Sequence, residues 1–243
     1  MKKNTISSFV FLLLTIIFFG CKKESETLSY PPLSEYYPLA VGKMFIYRVD
    51  STILPAFNAS LITMSYQAMD TIESSFNDNS GRLSYRIFRY QRDTAGTQPW
   101  TFAYTFVATP IDNQVEYVEN NFRFIKLHSP IKNDFSWQGN AYINTKSDNL
   151  YLDGWNYTYQ NFGKKFTTSG ITYDSTVTVT QQDEFSPDGP FDPTLDYQQR
   201  NYSLEVYAKG IGLVYKDLLH WTWQKPKYED GSYGIRLTLI AHN

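Results

Sequence analysis

The chain has 243 residues, of which 42% are hydrophobic and 17% aromatic, with 22 Lys and Arg against 24 Asp and Glu for a formal net charge of −2. That balance, with no basic cluster, gives no electrostatic reason to bind nucleic acid, and none is expected as a partner. A single cysteine rules out a disulfide within the chain, so stability must come from packing, for which the length suffices.

The chain opens with Lys2 and Lys3 followed by the apolar run FVFLLLTIIFFGC at 9–21. A charged start, a short apolar middle and a small residue at the end have the form of a secretory signal peptide. Residues 9–20 fall short of the roughly 20 apolar residues that a membrane crossing needs. Gly20 followed by Cys21 resembles the lipobox of bacterial lipoproteins, departing from the commoner pattern at Phe18 and Phe19 in a way associated with Bacteroidota. The resemblance implies removal of 1–20, a diacylglycerol on the Cys21 thiol, and a lipid anchor that makes the membrane a partner. It implies a cell-envelope location as an outer-membrane lipoprotein facing either the periplasm or the surface. Residues 21–35 then form the lipidated cysteine and a polar tether ending at a proline pair. Lys22, Lys23, Glu24 and Glu26 loosely resemble the surface-export tag of such lipoproteins, although a solvated charge run explains them equally well.

Residues 36–243 are expected to form a single β-rich domain. In the stretch 43–50, Phe45, Tyr47 and Val49 fall on one face and Met44, Ile46 and Arg48 on the other, the period of a strand. The same period predicts strands at 61–72, 83–92, 100–107, 115–118 and 122–127, with turn signals at 77–81, 94–96, 110–113 and 119–121. Later candidates are 142–144, 155–162, 176–182, 202–208, 212–221 and 235–241. No convincing helical period is present. Short links of this kind join antiparallel neighbours, and about a dozen strands must hide their edges. The expected fold is therefore all-β: an antiparallel meander forming a strongly curved sheet or incomplete barrel, with a two-sheet β-sandwich as the alternative. Gly210 and Gly212 mark either a bend in a strand or an ordinary hairpin turn. The YYPLAVGKMFIYRV opening and the 207–216 stretch YAKGIGLVYK, at the two ends of the domain, resemble a group of Bacteroidota lipoproteins of unknown function whose domain is similar in outline to half-barrel lipoprotein carriers. That resemblance implies a curved meander and carries no catalytic residue.

Motifs for chemistry are missing. His128, His220 and His242 stand apart with no second His or Cys at ligand spacing, and no nucleophile elbow, P-loop or dinucleotide fingerprint occurs. Asp183, Glu184, Asp188, Asp192 and Asp196 crowd a proline-rich stretch without the spacing of a calcium loop, so it reads as a solvated excursion. No catalysis, cofactor or metal is expected. The strongest compositional feature is 20 Tyr, 17 Phe and 5 Trp. Trp155, Tyr157 and Tyr159, and likewise Trp221 and Trp223, fall two apart and so on one face of a strand. Cross-strand packing explains most of these rings. They are also the candidate ligand contacts, because an aromatic face suits stacking on a sugar. The expected function is a lipid-anchored, non-catalytic binding or scaffolding domain. The alternatives are a carbohydrate-binding surface lipoprotein and a carrier of an apolar ligand in a half-barrel.

Overall fold

The computed structural model describes residues 29–243. The expected signal peptide, Cys21 and most of the tether lie outside the described residues. Thirteen strands account for nearly all the regular structure: β1 Met44–Ile53, β2 Ile62–Asn77, β3 Leu83–Asp93, β4 Thr101–Ile111, β5 Gln114–Glu119, β6 Phe122–His128, β7 Ser136–Gln138, β8 Asn156–Thr168, β9 Ile171–Ser186, β10 Tyr197–Ala208, β11 Gly212–Gln224, β12 Lys227–Tyr228 and β13 Tyr233–His242. Two short 3-10 segments, Leu33–Glu35 and Ser147–Leu152, are the only helical pieces among the described residues.

Every pairing is antiparallel, in the order β6-β5-β4-β3-β2-β1-β13-β11-β10-β9-β8-β7, with β12 added to β11. The sheet therefore curls almost into a barrel and leaves one seam, between β6 and β7. The expected all-β incomplete barrel is the observed fold. The seam has no ladder but is bridged. The Ile125 N–H donates to the Gly139 carbonyl at 2.8 Å, and the Trp137 indole N–H donates to the Ile125 carbonyl at 2.8 Å. The Tyr159 hydroxyl accepts from the His128 N–H and donates to the His128 carbonyl, each at 2.9 Å.

Local chemistry explains the turns. Asn120 and Asn121 adopt φ of 51° and 64° in the two-residue link between β5 and β6, the mirror-image turn that matches strand twist and that asparagine tolerates. The β10–β11 link is the hairpin turn that the glycine pair allowed, with Gly210 at φ 77°. One expected strand, 142–144, does not form. Tyr142 there is exposed and the Ile143 N–H turns back to the Asn140 carbonyl at 2.9 Å, because an isolated three-residue run has no neighbour to ladder with. β7 and β12 were not expected, being three and two residues long and so too short to show a period.

One end of the barrel is stopped by the residues that precede β1. Leu33, within the expected tether, and Tyr36 are both buried in the core. The Gly210 N–H donates to the Glu35 carbonyl at 2.6 Å, the Lys209 ammonium sits 2.9 Å from the Glu35 carboxylate, and Tyr36 shares a hydrogen bond with Ser175 at 3.2 Å. Tyr37 then lies against Tyr207, ring centres 5.9 Å apart. The other end is the mouth.

Candidate functional site

Alternation along each strand sends every second side chain into the lumen, and residues directly opposite one another in neighbouring strands share a face. Most inward positions are apolar, but six carry charge: Asp70 on β2, Arg89 on β3, Glu119 on β5, Lys126 on β6, Glu205 on β10 and Lys216 on β11. Register brings them together in pairs. Asp70 lies opposite Arg89, and Glu205 opposite Lys216.

Arg89 grips Asp70 with two parallel bonds, Nε to Oδ1 and Nη2 to Oδ2, each 2.6 Å, and its guanidinium lies 4.8 Å from the Phe106 ring centre. Burial opposes the Arg89 charge, but the Asp70 carboxylate outweighs it and raises the guanidinium pKa. The second group is a quartet. Lys126 Nζ donates to Glu205 Oε1 at 2.7 Å, and the Tyr207 hydroxyl donates to Glu205 Oε2 at 2.6 Å. Lys216 Nζ reaches Glu119 Oε2 at 3.4 Å and stands 3.9 Å from Glu205 Oε1. Burial pushes the Glu119 carboxyl up, yet the Lys216 and Lys126 ammonium groups more than offset it and hold it down at about 2. Glu205 is lowered in the same way, burial again being outweighed by Lys126 and Lys216. Lys126 is lowered, chiefly by burial.

The quartet divides the lumen. Glu119, Lys126 and Lys216 line two chambers at once. The inner one, about 70 Å³, is closed by Tyr37, Pro38 and Leu39 and is floored by Asp70 and Arg89. The outer one, about 260 Å³, is walled by Phe122, Phe124, Trp155, Tyr157, Leu218 and Ile235, with Tyr151 and Tyr233 toward the mouth. A buried benzene occupies a cavity of about 150 Å³, so the outer chamber has room for a molecule larger than that and the inner one does not.

Of the sequence-predicted contacts, all five are buried, so none of them forms an exposed stacking platform. Trp155 and Tyr157 line the outer chamber. Their polar tips are used inside the protein: the Trp155 indole N–H donates to the Tyr151 carbonyl at 2.6 Å and the Tyr157 hydroxyl to Asn140 Oδ1 at 2.9 Å. Tyr159 packs 4.6 Å from Trp137 at the seam. Trp221 and Trp223 meet Phe191 and Tyr228, mostly edge to face at 5.1–5.6 Å, in a separate aromatic cluster under the β9–β10 connection. His220 stacks on Tyr151 at 4.1 Å and bonds Asn201 through Nδ1 at 2.6 Å, while burial lowers its pKa to about 4. Among the described residues no three His, Cys, Asp or Glu side chains gather as a metal site.

No protein-family model matches the chain, and no curated protein matches it. Among solved structures, a Bacteroides fragilis protein described as exported and YmcC-like in fold is similar to it. The TM-score is 0.40 at 9% identity, over 84% of this chain and 96% of that one.

The chamber's polar residues were not singled out in the sequence. One signal was there: Asp70 between Ala68 and Ile72, and Glu205 between Ser203 and Tyr207, put a carboxylate at an inward position of an alternating run. A charge at such a position needs a partner, and only the register says which. The outer rim carries a further feature. Met64 shares its face with Asp70 along β2, and Tyr104 lies opposite Arg89 on β4, so the exposed Ile62, Met64 and Tyr104 extend the lumen wall out to the mouth as an apolar lip, whereas a register shift turns Phe102 to the outer face against Phe88 and Tyr90.

Proposed function

We propose that the protein is a non-catalytic binding protein of the cell envelope that holds a small, largely apolar molecule in the outer chamber of its barrel. The observation that carries this reading is the chamber itself: about 260 Å³, apolar and aromatic on its walls, and polar only at the charged floor and a few wall positions. Few polar groups in an apolar concavity are what orient a ligand in a binding site. The apolar lip at the mouth supports uptake of a molecule poorly soluble in water. Glu119 and Glu205 are held ionised by their lysines, the opposite of the raised carboxyl that serves as a general acid near neutral pH, and this supports a role without catalysis. The envelope setting, with Cys21 as lipid anchor on the outer membrane, rests on the lipobox-like start of the chain. Buried as they are, Trp221 and Trp223 have no part in this reading.

The full chain, purified from its bacterial host, is denatured and its small-molecule extract identified by mass spectrometry beside that of a Leu218→Trp variant, which fills the chamber. A compound present in stoichiometric amount with the wild type and lost with the folded variant is the expected result. Extracts that do not differ would sink the proposal, and Ile235→Phe serves if Leu218→Trp does not fold.

A further inference from the structure

Four polar side chains at the bottom of the barrel carry atoms that bond to nothing in the protein. Tyr37 comes from the segment that stops the barrel, Arg89 from β3, and Tyr117 and Glu119 from β5, and all four line the inner chamber. Arg89 spends Nε and Nη2 on Asp70, which leaves Nη1 unused, and Glu119 spends Oε2 on Lys216, which leaves Oε1. Tyr47 and Tyr207 donate to the Leu213 carbonyl at 3.0 Å and to Glu205 at 2.6 Å, but the Tyr37 and Tyr117 hydroxyls have no partner among the described residues. None of the four atoms is sealed in. The enclosed side-chain nitrogen and oxygen atoms without a hydrogen bond among the described residues belong to Glu35 and Gln181, so these four keep surface that a small molecule can touch. No other orientation of a phenol, guanidinium or carboxylate would change that count. An unbonded interior hydroxyl is unfavourable where phenylalanine would pack as well, so two of them in one chamber call for a reason.

The chemistry of the chamber narrows that reason. Burial, with the Asp70 and Glu119 carboxylates added to it, pushes both phenols up, so both stay protonated as donors. Arg89 Nη1 is a donor too, and Glu119, held ionised by its lysines, is an acceptor. Three donors and one acceptor therefore face one small space. A hydroxyl group, which donates once and accepts twice, suits that set, whereas a bare carbonyl would leave Glu119 without a donor. Arg89, Lys126 and Lys216 balance Asp70, Glu119 and Glu205, so a carboxylate, phosphate or ammonium brought in would be one uncompensated buried charge.

The outer chamber leads to this one. Glu119, Lys126 and Lys216 line both, so the partition is made of side chains and not of backbone. Lys126 is held firmly, 2.7 Å from Glu205, whereas the Lys216 ammonium stands 3.4 Å from Glu119 and 3.9 Å from Glu205 on a flexible four-carbon stem, and is the member that can yield. We propose that the inner chamber is the subsite for the hydroxyl end of an uncharged amphiphile. The hydroxyl donates to Glu119 Oε1 and accepts from Arg89 Nη1 and a tyrosine hydroxyl, while the apolar body lies against Phe122, Phe124, Trp155 and Tyr157 in the outer chamber. At about 70 Å³ the subsite has room for the end of such a molecule and not for its body. This names the ligand class for the binding role proposed above and rests on it.

The test uses four probes built on one ring and chain: 3-phenylpropan-1-ol, the hydrocarbon propylbenzene, the anion 3-phenylpropanoate and the cation 3-phenylpropylammonium. Each is titrated into the full chain and followed by ligand-observed NMR, for the wild type, the double variant Tyr37→Phe with Tyr117→Phe, and Leu218→Trp. The alcohol is expected to bind about thirtyfold more tightly than propylbenzene, the ratio that two net hydrogen bonds give, and both ions more weakly than the alcohol. The double variant should cut that preference about fivefold, the share of one bond, with a thermal melt like that of the wild type because the lost hydroxyls bond nothing in the protein. An alcohol that binds no better than propylbenzene would mean that water alone serves the four atoms, and would overturn the subsite. So would tighter binding of either ion, a preference indifferent to the double variant, equal loss of alcohol and propylbenzene in that variant, or failure of every probe. If propylbenzene binds and Leu218→Trp abolishes it, or the extracts of the two proteins still differ, the binding role stands without the subsite. If neither holds, both fall.

Discussion

Glu205 is fully buried and takes bonds from Lys126 and Tyr207, with the Lys216 ammonium close by. Such a cluster is weak evidence for stability but strong evidence for interdependence, since removing one member strands the others. Glu205→Leu should therefore destabilise the protein by about 3–5 kcal/mol in urea titrations, and Lys126→Met with Glu205→Leu should recover most of the loss. Acid has a related effect. Glu119 titrates at about 2 in the folded state against 4.5 ordinarily, so the unfolded chain takes up the proton first as pH falls. The stabilisation is complete above about pH 4.5 and is lost as pH falls through about 2. His220 gives a second window. Its folded pKa of about 4 lies below the ordinary 6.5, so between those values the unfolded state binds more protons and stability declines as pH falls. Asn201, Tyr151 and Tyr233 around it carry no charge to oppose this. Urea midpoints from pH 7 to 5 should fall for the wild type and stay nearer level for His220→Gln. At this scale little was legible in advance. A buried carboxylate and an exposed one have the same letter, and so do a tyrosine whose hydroxyl faces a chamber and one that only packs.

The strands were legible because alternation over many residues is a redundant signal. β1, β3, β4 and β6 came within a few residues of their ends, whereas β2, β8 and β9 run well past the expected stretch because their outer ends are polar. The seam was not legible, being made of single bonds from side chains and loops rather than of a pattern. Two substitutions probe it. Trp137→Phe removes the indole bond to Ile125 and should cost about 1 kcal/mol, with faster hydrogen exchange at the Ile125 amide across the seam. At Gly139 an added Cβ would come 2.3 Å from the Tyr157 ring, which is fully buried and has nowhere to retreat but the outer chamber. Gly139→Ala should lower stability by about 1–3 kcal/mol in thermal melts and narrow the chamber together.

For the whole molecule, the sequence anticipated a curved meander. It also anticipated an incomplete barrel, but not which strands would bring the curl round, because closure depends on pairings far apart in the chain: Val49 with Leu237 on β1 and β13, and Tyr215 with Thr238 on β11 and β13. β1 through β6 form one uninterrupted run of hairpins and β7 through β11 another, and β13 is the only strand laddered to both. The wall is thus two independent ribbons and a keystone. While the chain is being made, each ribbon can ladder as its strands emerge, but β1 and β11 remain bare edges, open to any other extended chain. Closure waits on contacts of long sequence separation, which form slowly. The interval before β13 inserts is therefore when the protein is most exposed to mispairing, and a chain cut short before Tyr233 would remain in that state permanently.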